Sequence, residues 1–295
     1  MKPLASDDRS TYIGGPGAAT ILGVNTYQTP LALWLQLTGR SEPIEVNDAM
    51  RSGMRLEPAV LAYAGEALQT EIIPGPFVRD MREPLGGHLD GLTIGGDVVE
   101  AKTSRIRSAW GEPGTGDVPP AYAAQCMHYL GLMPRARVAH LAVLFSGLDF
   151  AMYRIERDDQ LIGQMREICA KWWRDYVVSD TPPPPVSGAD ALALFPKDTG
   201  RVVIASDAVA DAVKQLRSVR EMEKALEEER EALESRIKLE LGDGASLMVG
   251  GEVACTWRTT KPIHKFDTSK FKSAEPDLYQ MYCNEITQRR FLLKG

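Results

Sequence analysis

The sequence predicts an α/β fold followed by a separate helical module, and three observations predict it. Short β-branched stretches at about 97–103, 137–145 and 149–156 alternate with helical patterns at about 50–68, from 119 onward, and at about 158–177. The segment Ser179 to Gly188, with prolines at 182–185, then forms a stiff linker. Beyond it, residues of about 206–241 read as one long charged helix.

The elements follow in order. Gly14-Gly15-Pro16-Gly17 precedes the apolar run Ala18 to Leu22, a glycine-rich turn opening a helix. Free backbone N–H groups at such a start make an anion site, although a turn that simply begins a packed helix would read the same. Met50, Met54, Leu61 and Leu68 fall near helical spacing, with Glu57 inside that helix. Pro119-Pro120 opens another helix, in which Gln125, Tyr129 and Leu132 follow i, i+4, i+7 spacing. Gln125 therefore rides on a buried stripe, where an amide needs a polar partner. The strands at 137–145 and 149–156 join through Ser146-Gly147-Leu148, and the helix at about 158–177, carrying Ile162, Met165, Ile168, Trp172 and Trp173, closes the domain.

The run GGHLDGLTIGGDVVEAKTS carries the chemistry, in a D-x9-E-x-K spacing of Asp90, Glu100 and Lys102. Side chains alternate along a strand, so Glu100 and Lys102 share one face while Val99, Ala101 and Thr103 take the other. A tight antiparallel pair turning through Ile94-Gly95-Gly96 brings Asp90 beside them. Two hard carboxylate ligands suit Mg²⁺, and a neighbouring lysine lowers the pKa of an attacking water or stabilises charge on a phosphoryl transition state. A solvated surface hairpin would show the same spacing.

Six segments stand in order between Ile13 and Asp158, IGGPGAATILGVNTYQTPLALWLQLTG, GMRLEPAVLAYA, GGHLDG, VVEAKTS, PPAYAAQCMHYLGL and AHLAVLFSGLDFAMYRIERD, and the similarity they carry covers residues 9 to 180 approximately. Together they resemble the YqaJ-type viral recombinases, relatives of phage lambda exonuclease within the PD-(D/E)xK nuclease superfamily. The resemblance implies a restriction-endonuclease-like core, a central mixed β-sheet flanked by helices. It implies that Asp90, Glu100 and the backbone carbonyl of Ala101 hold metal, that Glu57 binds a second ion or orients the site, and that Lys102 and Gln125 act with them in catalysis. The implied cofactor is Mg²⁺, with Mn²⁺ as the alternative, at two ions per site.

The implied activity is 5′ to 3′ digestion of duplex DNA from its ends, releasing 5′-mononucleotides and leaving a 3′ overhang for a single-strand annealing protein. Arg9 takes the place of the family's phosphate-binding arginine, with Gly15, Gly17 and Arg105 as further DNA contacts. Pro16 stands where the family commonly has serine, which removes a hydroxyl contact and puts strict 5′-phosphate dependence in question. A homo-oligomeric ring, a trimer by resemblance, would enclose the duplex. A structure-specific or restriction-like endonuclease is the competing mode on the same fold, and a non-catalytic DNA-binding or interaction protein is the competing class. The presence of all three of Asp90, Glu100 and Lys102 argues against the latter.

Composition is consistent with this reading without carrying it. Lysine and arginine total 34 against 40 aspartates and glutamates, a net charge of −6 that is unpromising for a generic nucleic-acid binder. Distribution matters more: Lys102, Arg105 and Arg107 cluster near the proposed site, while acids concentrate between Glu221 and Glu234. The four cysteines, Cys126, Cys169, Cys255 and Cys283, lack CxxC spacing, which argues against zinc, iron–sulfur and disulfide frameworks. His88 stands two residues before Asp90, where a packing role outweighs a catalytic one. No apolar run approaches the roughly 20 residues of a membrane span, and the start lacks a signal-peptide core, so a soluble, cytoplasmic protein is expected.

The chain is thus expected to divide into a nuclease domain at 1–180, a linker and connection at 181–205, and an accessory region at 206–295. In that last region Val209, Val213, Leu216, Val219, Leu226, Leu233 and Ile237 form a broken heptad stripe that must pack on another element or another subunit. A hairpin turning at Gly250-Gly251 and a helix near 276–287 follow. Tyr279, Tyr282, Arg289, Arg290 and Lys294 could stack bases and bind phosphates, but a core position accounts better for the tyrosines.

Overall fold

A computed structural model describes residues 8–42, 46–146, 149–285 and 288–294. The chain divides into two compact units, Met1–Leu194 and Phe195–Gly295.

The first unit is built on a five-stranded mixed sheet with strand order β1-β4-β5-β6-β7. Its strands are β1 (Ile72–Pro74), β4 (Gly91–Thr93), β5 (Val98–Ser104), β6 (Val138–Phe145) and β7 (Phe150–Glu156). A separate hairpin pairs β2 (Phe77–Arg79) with β3 (Gly86–His88). The β5–β6 pair is parallel, with Glu100 opposite Leu141 and Lys102 opposite Val143, and every other pair in the sheet is antiparallel. Parallel neighbours need a crossover, and α4 (Pro120–Leu132) supplies it between β5 and β6. This is the central mixed sheet flanked by helices that the resemblance implied.

Alternation along the strands builds two apolar layers. Val98, Leu141, Val143 and Tyr153 join the large core with α1 (Gly15–Ile21), α2 (Pro30–Leu37), α4 and α5 (Asp159–Trp172). Val99, Ala101, Ala142 and Leu144 face the other way, onto Val60 and Ala64 of α3 (Asp48–Leu68). Glu100 and Lys102 consequently belong to the α4 layer. The helix expected at 50–68 is α3, started by the Asn47 side chain accepting from Met50 N–H and ended by Gln69 in a left-handed conformation.

The helix expected at 158–177 is α-helical only to Trp172; its last turn widens to π geometry over Trp173–Val178. There the Trp34 indole N–H donates to the Tyr176 carbonyl at 2.9 Å, a tertiary contact with no local sequence signal. The proline-rich stretch has no regular structure until α6 (Gly188–Leu194). Asp190 ties α6 down by accepting from Thr29 Oγ1 at 2.6 Å and from Val186 N–H at 2.9 Å. Gly147 and Leu148, expected in the β6–β7 turn, lie outside the described residues.

α4 also buries His128, whose Nε2 donates to the Gly86 carbonyl at 3.0 Å. Burial pushes this imidazole down to about 4. The unfolded chain titrates near 6.5, so it binds the proton more strongly than the folded protein does below that value. His128 therefore contributes full stability above pH ~6.5 and loses it as pH falls toward 4, by up to roughly 3 kcal/mol. His128→Gln should flatten that acid limb in urea titrations at pH 7 and pH 4.5; an unchanged pH dependence would contradict the assignment.

The second unit holds α7 (Asp207–Leu241), the hairpin β8 (Ser246–Val249) and β9 (Glu252–Thr256), α8 (Thr268–Ala274) and α9 (Pro276–Met281). The long helix and the hairpin stand where the sequence reading put them. The last helix is shorter than the expected 276–287, because Tyr282 and Cys283 N–H turn to i−3 carbonyls and close it; Ile286 and Thr287 lie outside the described residues. α8, capped by Asp267, had not been foreseen. Among the described residues, no helix is long and apolar enough to cross a membrane.

Candidate active site

The site grows from the end of the β4–β5 ladder. That pairing ends with Gly91 opposite Val99, and Asp90 and Glu100 are the next residues along the two chains. Beyond Gly91 the edge of β5 has lost its neighbour, and the Asp90 side chain takes over: Oδ2 accepts from the Ala101 backbone N–H at 2.8 Å. A carboxylate thereby replaces a ladder acceptor and is fixed beside β5.

Glu100 is 1% exposed, and both of its donors converge on one oxygen. Lys102 Nζ and Gln125 Nε2 each donate to Oε1, while Oε2 is buried with no hydrogen-bond partner. Gln125 also lies 3.3 Å from the Tyr129 hydroxyl. This answers the puzzle of an amide on the buried stripe of α4, since its partner is the β5 carboxylate.

Electrostatics follows from this crowding. Burial first, then the neighbouring Asp90, pushes the Glu100 carboxyl up to about 7 despite the opposing pull of Lys102. For Lys102 burial works against the charge, but Glu100 and Asp90 outweigh it and raise the ammonium above its usual value. Glu57 on α3 is raised too, by partial burial and by Asp90, with Lys102 opposing. Three carboxylates thus share the field of one ammonium.

The donor set fits a small hard cation: a partnerless buried carboxylate oxygen stands beside a second carboxylate. Among the described residues, however, no three His, Cys, Asp or Glu side chains converge as a metal-binding group. Glu57 senses Asp90 electrostatically but does not close such a cluster.

The structure brings together Asp90, Glu100, Lys102, Gln125 and, more loosely, Glu57. Arg9 starts an exposed 3-10 turn (Arg9–Thr11) outside this cluster. Gly15 and Gly17 are buried, and Gly15 has a steric reason to be glycine. A Cβ on Gly15 would lie 2.7 Å from Gln125 Cγ and 3.1 Å from Tyr129 Cζ, whereas one on Gly17 would make ordinary contact with Ile13 and Leu33. Gly15→Ala is therefore expected to keep the fold but displace Gln125 from Glu100, lowering turnover about tenfold, as one lost charge-assisted hydrogen bond of roughly 1.5 kcal/mol would. Comparing turnover with the thermal melt checks this: parallel losses would mean a packing defect alone.

Arg105 is exposed in the loop after β5 and lines a cleft of about 800 Å³ with Tyr27, Trp110 and Tyr122. Trp110 and Tyr122 stack at 5.2 Å, and Lys102 Nζ lies 6.0 Å from the Tyr122 ring centre, which joins the cleft to the carboxylate cluster. His88 packs its ring on Phe77 at 4.8 Å. Sequence reading passed over Gly75, whose N–H donates to the Asp90 carbonyl at 3.2 Å. A Cβ there would stand 2.1 Å from Leu89 O. The one available signal was its setting between Pro74 and Pro76.

Residues 6–133 match the family described as the YqaJ-like viral recombinase domain. The uncharacterized protein YqaJ of Bacillus subtilis (strain 168) is 30% identical over 308 residues, covering 97% of this chain and 92% of that one. Among solved structures, an alkaline exonuclease (LHK-Exo) from Laribacter hongkongensis aligns with a TM-score of 0.46 at 18% identity, over 58% of this chain and 90% of that one. A phage-related exonuclease from Haemophilus somnus 129PT aligns with a TM-score of 0.44 at 14% identity, over 58% and 96% of the two chains. A putative exonuclease from Eubacterium rectale gives 0.47 at 10% identity, over 70% and 95%. With a full-length relative at that identity and the recombinase domain matched over the segment that holds Asp90, Glu100, Lys102 and Gln125, the chain belongs to the YqaJ-like viral recombinase family.

Proposed function

We propose that this protein is a Mg²⁺- or Mn²⁺-dependent exonuclease of phage-type recombination. It digests duplex DNA from its ends in the 5′ to 3′ direction, releases 5′-mononucleotides and leaves a 3′ overhang for a single-strand annealing protein. The observation that carries this reading is Glu100, a buried carboxylate with one oxygen clamped by Lys102 and Gln125 and the other left without a partner beside Asp90. Family membership supports it.

In this reading Asp90, Glu100 and the Ala101 carbonyl would hold one ion and Glu57 would serve a second. A divalent cation bound there supplies positive charge to the scissile phosphate and acidifies a water. Lys102 takes part as an ammonium, because its two carboxylate neighbours keep it protonated. It is placed to offset the negative charge that builds on phosphoryl oxygens as a water adds. Gln125 holds Glu100 in one rotamer, so that Oε2 keeps its direction. Tyr27, Tyr122 and Arg105 offer aromatic faces and positive charge along the adjoining cleft, which suits a nucleotide strand. Arg9 is assigned to the terminal phosphate, and a homo-oligomeric ring, a trimer as in the lambda-like enzymes, to the enclosure of the duplex.

The test is digestion of two matched duplexes with Mg²⁺, one linear and 5′-labelled, one covalently closed, with Asp90→Ala as control. Early release of labelled mononucleotide from the linear DNA alone is expected. Cutting of the closed circle would move the assignment to an endonuclease, and inactivity on both would remove the catalytic reading.

A further inference from the structure

α7 runs 35 residues, about 50 Å, and carries an apolar seam on an otherwise charged surface. Val209, Val219, Leu226, Leu233 and Ile237 are between 40% and 65% exposed. These residues follow a heptad. Val209, Leu216, Glu223, Arg230 and Ile237 occupy its a positions, and Ala212, Val219, Leu226, Leu233 and Glu240 its d positions. The seam is apolar except at Glu240 near its end and where Glu223 and Arg230 interrupt it with opposite charges, one heptad apart.

We infer that α7 pairs with α7 of a second copy of this chain, antiparallel, in the register that sets Leu216 against the partner's Leu233. Charge decides the direction. A parallel pair would stack Glu223 on Glu223 and Arg230 on Arg230 inside the seam, and Glu229 against Glu234 on its flank. The antiparallel pair removes all three conflicts. It places Glu223 about 6 Å along the axis from the opposing Arg230, and it sets Arg220 beside the opposing Glu227, twice by symmetry.

The register is equally constrained. Sliding one heptad in one direction brings Glu227 against Glu227 and Glu229 against Glu229; sliding in the other brings Arg220 against Arg220. The register free of like-charge flanks is also the one in which the two helices overlap along nearly their whole length. Arg230 is already forked between Glu227 and Glu234 of its own helix, so its stem can line the seam while its head stays neutralised. The pairing concerns the second unit alone and does not rest on the nuclease reading.

The test is pulsed electron–electron distance measurement on the full chain, with Cys255 and Cys283 replaced by serine and a spin label at a single new cysteine. In the antiparallel register, a label at Asp211→Cys lies 27 residues along the axis from its counterpart, about 40 Å, whereas a label at Lys224→Cys lies one residue away, with its separation set by helix width. A short distance at both positions would mean parallel pairing and overturn the proposal. The absence of a position-dependent pair of distances would mean that α7 is covered by something other than a second α7, and would overturn it as well.

Charge exchange gives an independent reading. Glu223→Arg alone should abolish the 40 Å distance, and adding Arg230→Glu should restore it, because the swap preserves the antiparallel contact. Failure of the double variant to recover would count against the register even if pairing persists.

Discussion

Glu100→Gln should lose about three orders of magnitude in turnover on linear duplex DNA while the protein remains folded, a loss of the size seen when one preorganised electrostatic contact is removed from a reacting centre. The substitution keeps the shape and the Oε1 acceptor that Lys102 and Gln125 use. It replaces the anionic Oε2 by an amide that cannot serve a cation. The stability response runs the other way. The carboxyl is held up to about 7 in the folded protein, chiefly by burial, against about 4.5 when unfolded. A carboxyl with a raised folded value binds its proton more tightly in the folded state, so the wild type loses stability as pH rises from 4.5 through 7, by up to roughly 3 kcal/mol.

In cation-free buffer at pH 8 the glutamine variant should therefore melt no lower than wild type, with a flatter pH dependence between 5 and 8. Denaturant titrations at those two pH values, beside turnover, check both halves. Retained turnover would remove Glu100 from the chemistry, and a large fall in stability at pH 8 would show that its charge is needed for folding, contrary to the burial argument. Such a pairing, activity lost with stability kept or gained, is the expected signature of a group kept for function at a cost to the fold.

Gly75→Ala should be damaging for a purely steric reason. The new Cβ would sit 2.1 Å from Leu89 O and 2.4 Å from Leu89 C, whereas apolar contacts settle near 3.5–4.0 Å. Those atoms are backbone, so no rotamer change relieves the overlap. The two segments are also pinned to each other, because Gly75 N–H donates to Asp90 O and Leu89 N–H donates to Pro76 O, both at 3.2 Å. Moving them apart breaks these bonds and carries Asp90 away from Ala101 N–H. We expect about 3 kcal/mol of destabilisation, in the range of overpacking with lost buried hydrogen bonds, together with a turnover loss beyond what unfolding explains. Urea midpoints and activity per folded molecule measure the two separately. Wild-type behaviour in both would show that the Pro74–Pro76 segment yields without disturbing Asp90.

Much of the site was legible because its signals are local. The Glu100–Lys102 pair shares a face through the two-residue period of a strand, and Asp90 reaches it through a short antiparallel turn, so spacing alone brought the three together. Gln125 announced itself as a polar residue on an apolar stripe. α3, β5, β6 and β7 were legible for the same reason, since periodicity over many residues overrides local ambiguity. The short strands β1 to β3 and the helix α8 were missed, as their few residues hold too little pattern to stand out from loop sequence.

By itself, then, the sequence determined the family, the strand that bears Glu100 and Lys102, the order of the principal elements and the heptad along α7. These depend on residue type and on spacing within one segment. Only the tertiary structure decided that Gln125 and Lys102 clamp the same oxygen of Glu100, that Gly15 is small because α4 passes beside it, and that Gly75 is bare because the Leu89 backbone lies against it. Each of those facts is a contact between segments distant in sequence, where the constraint on one residue is written in the side chain or backbone of another.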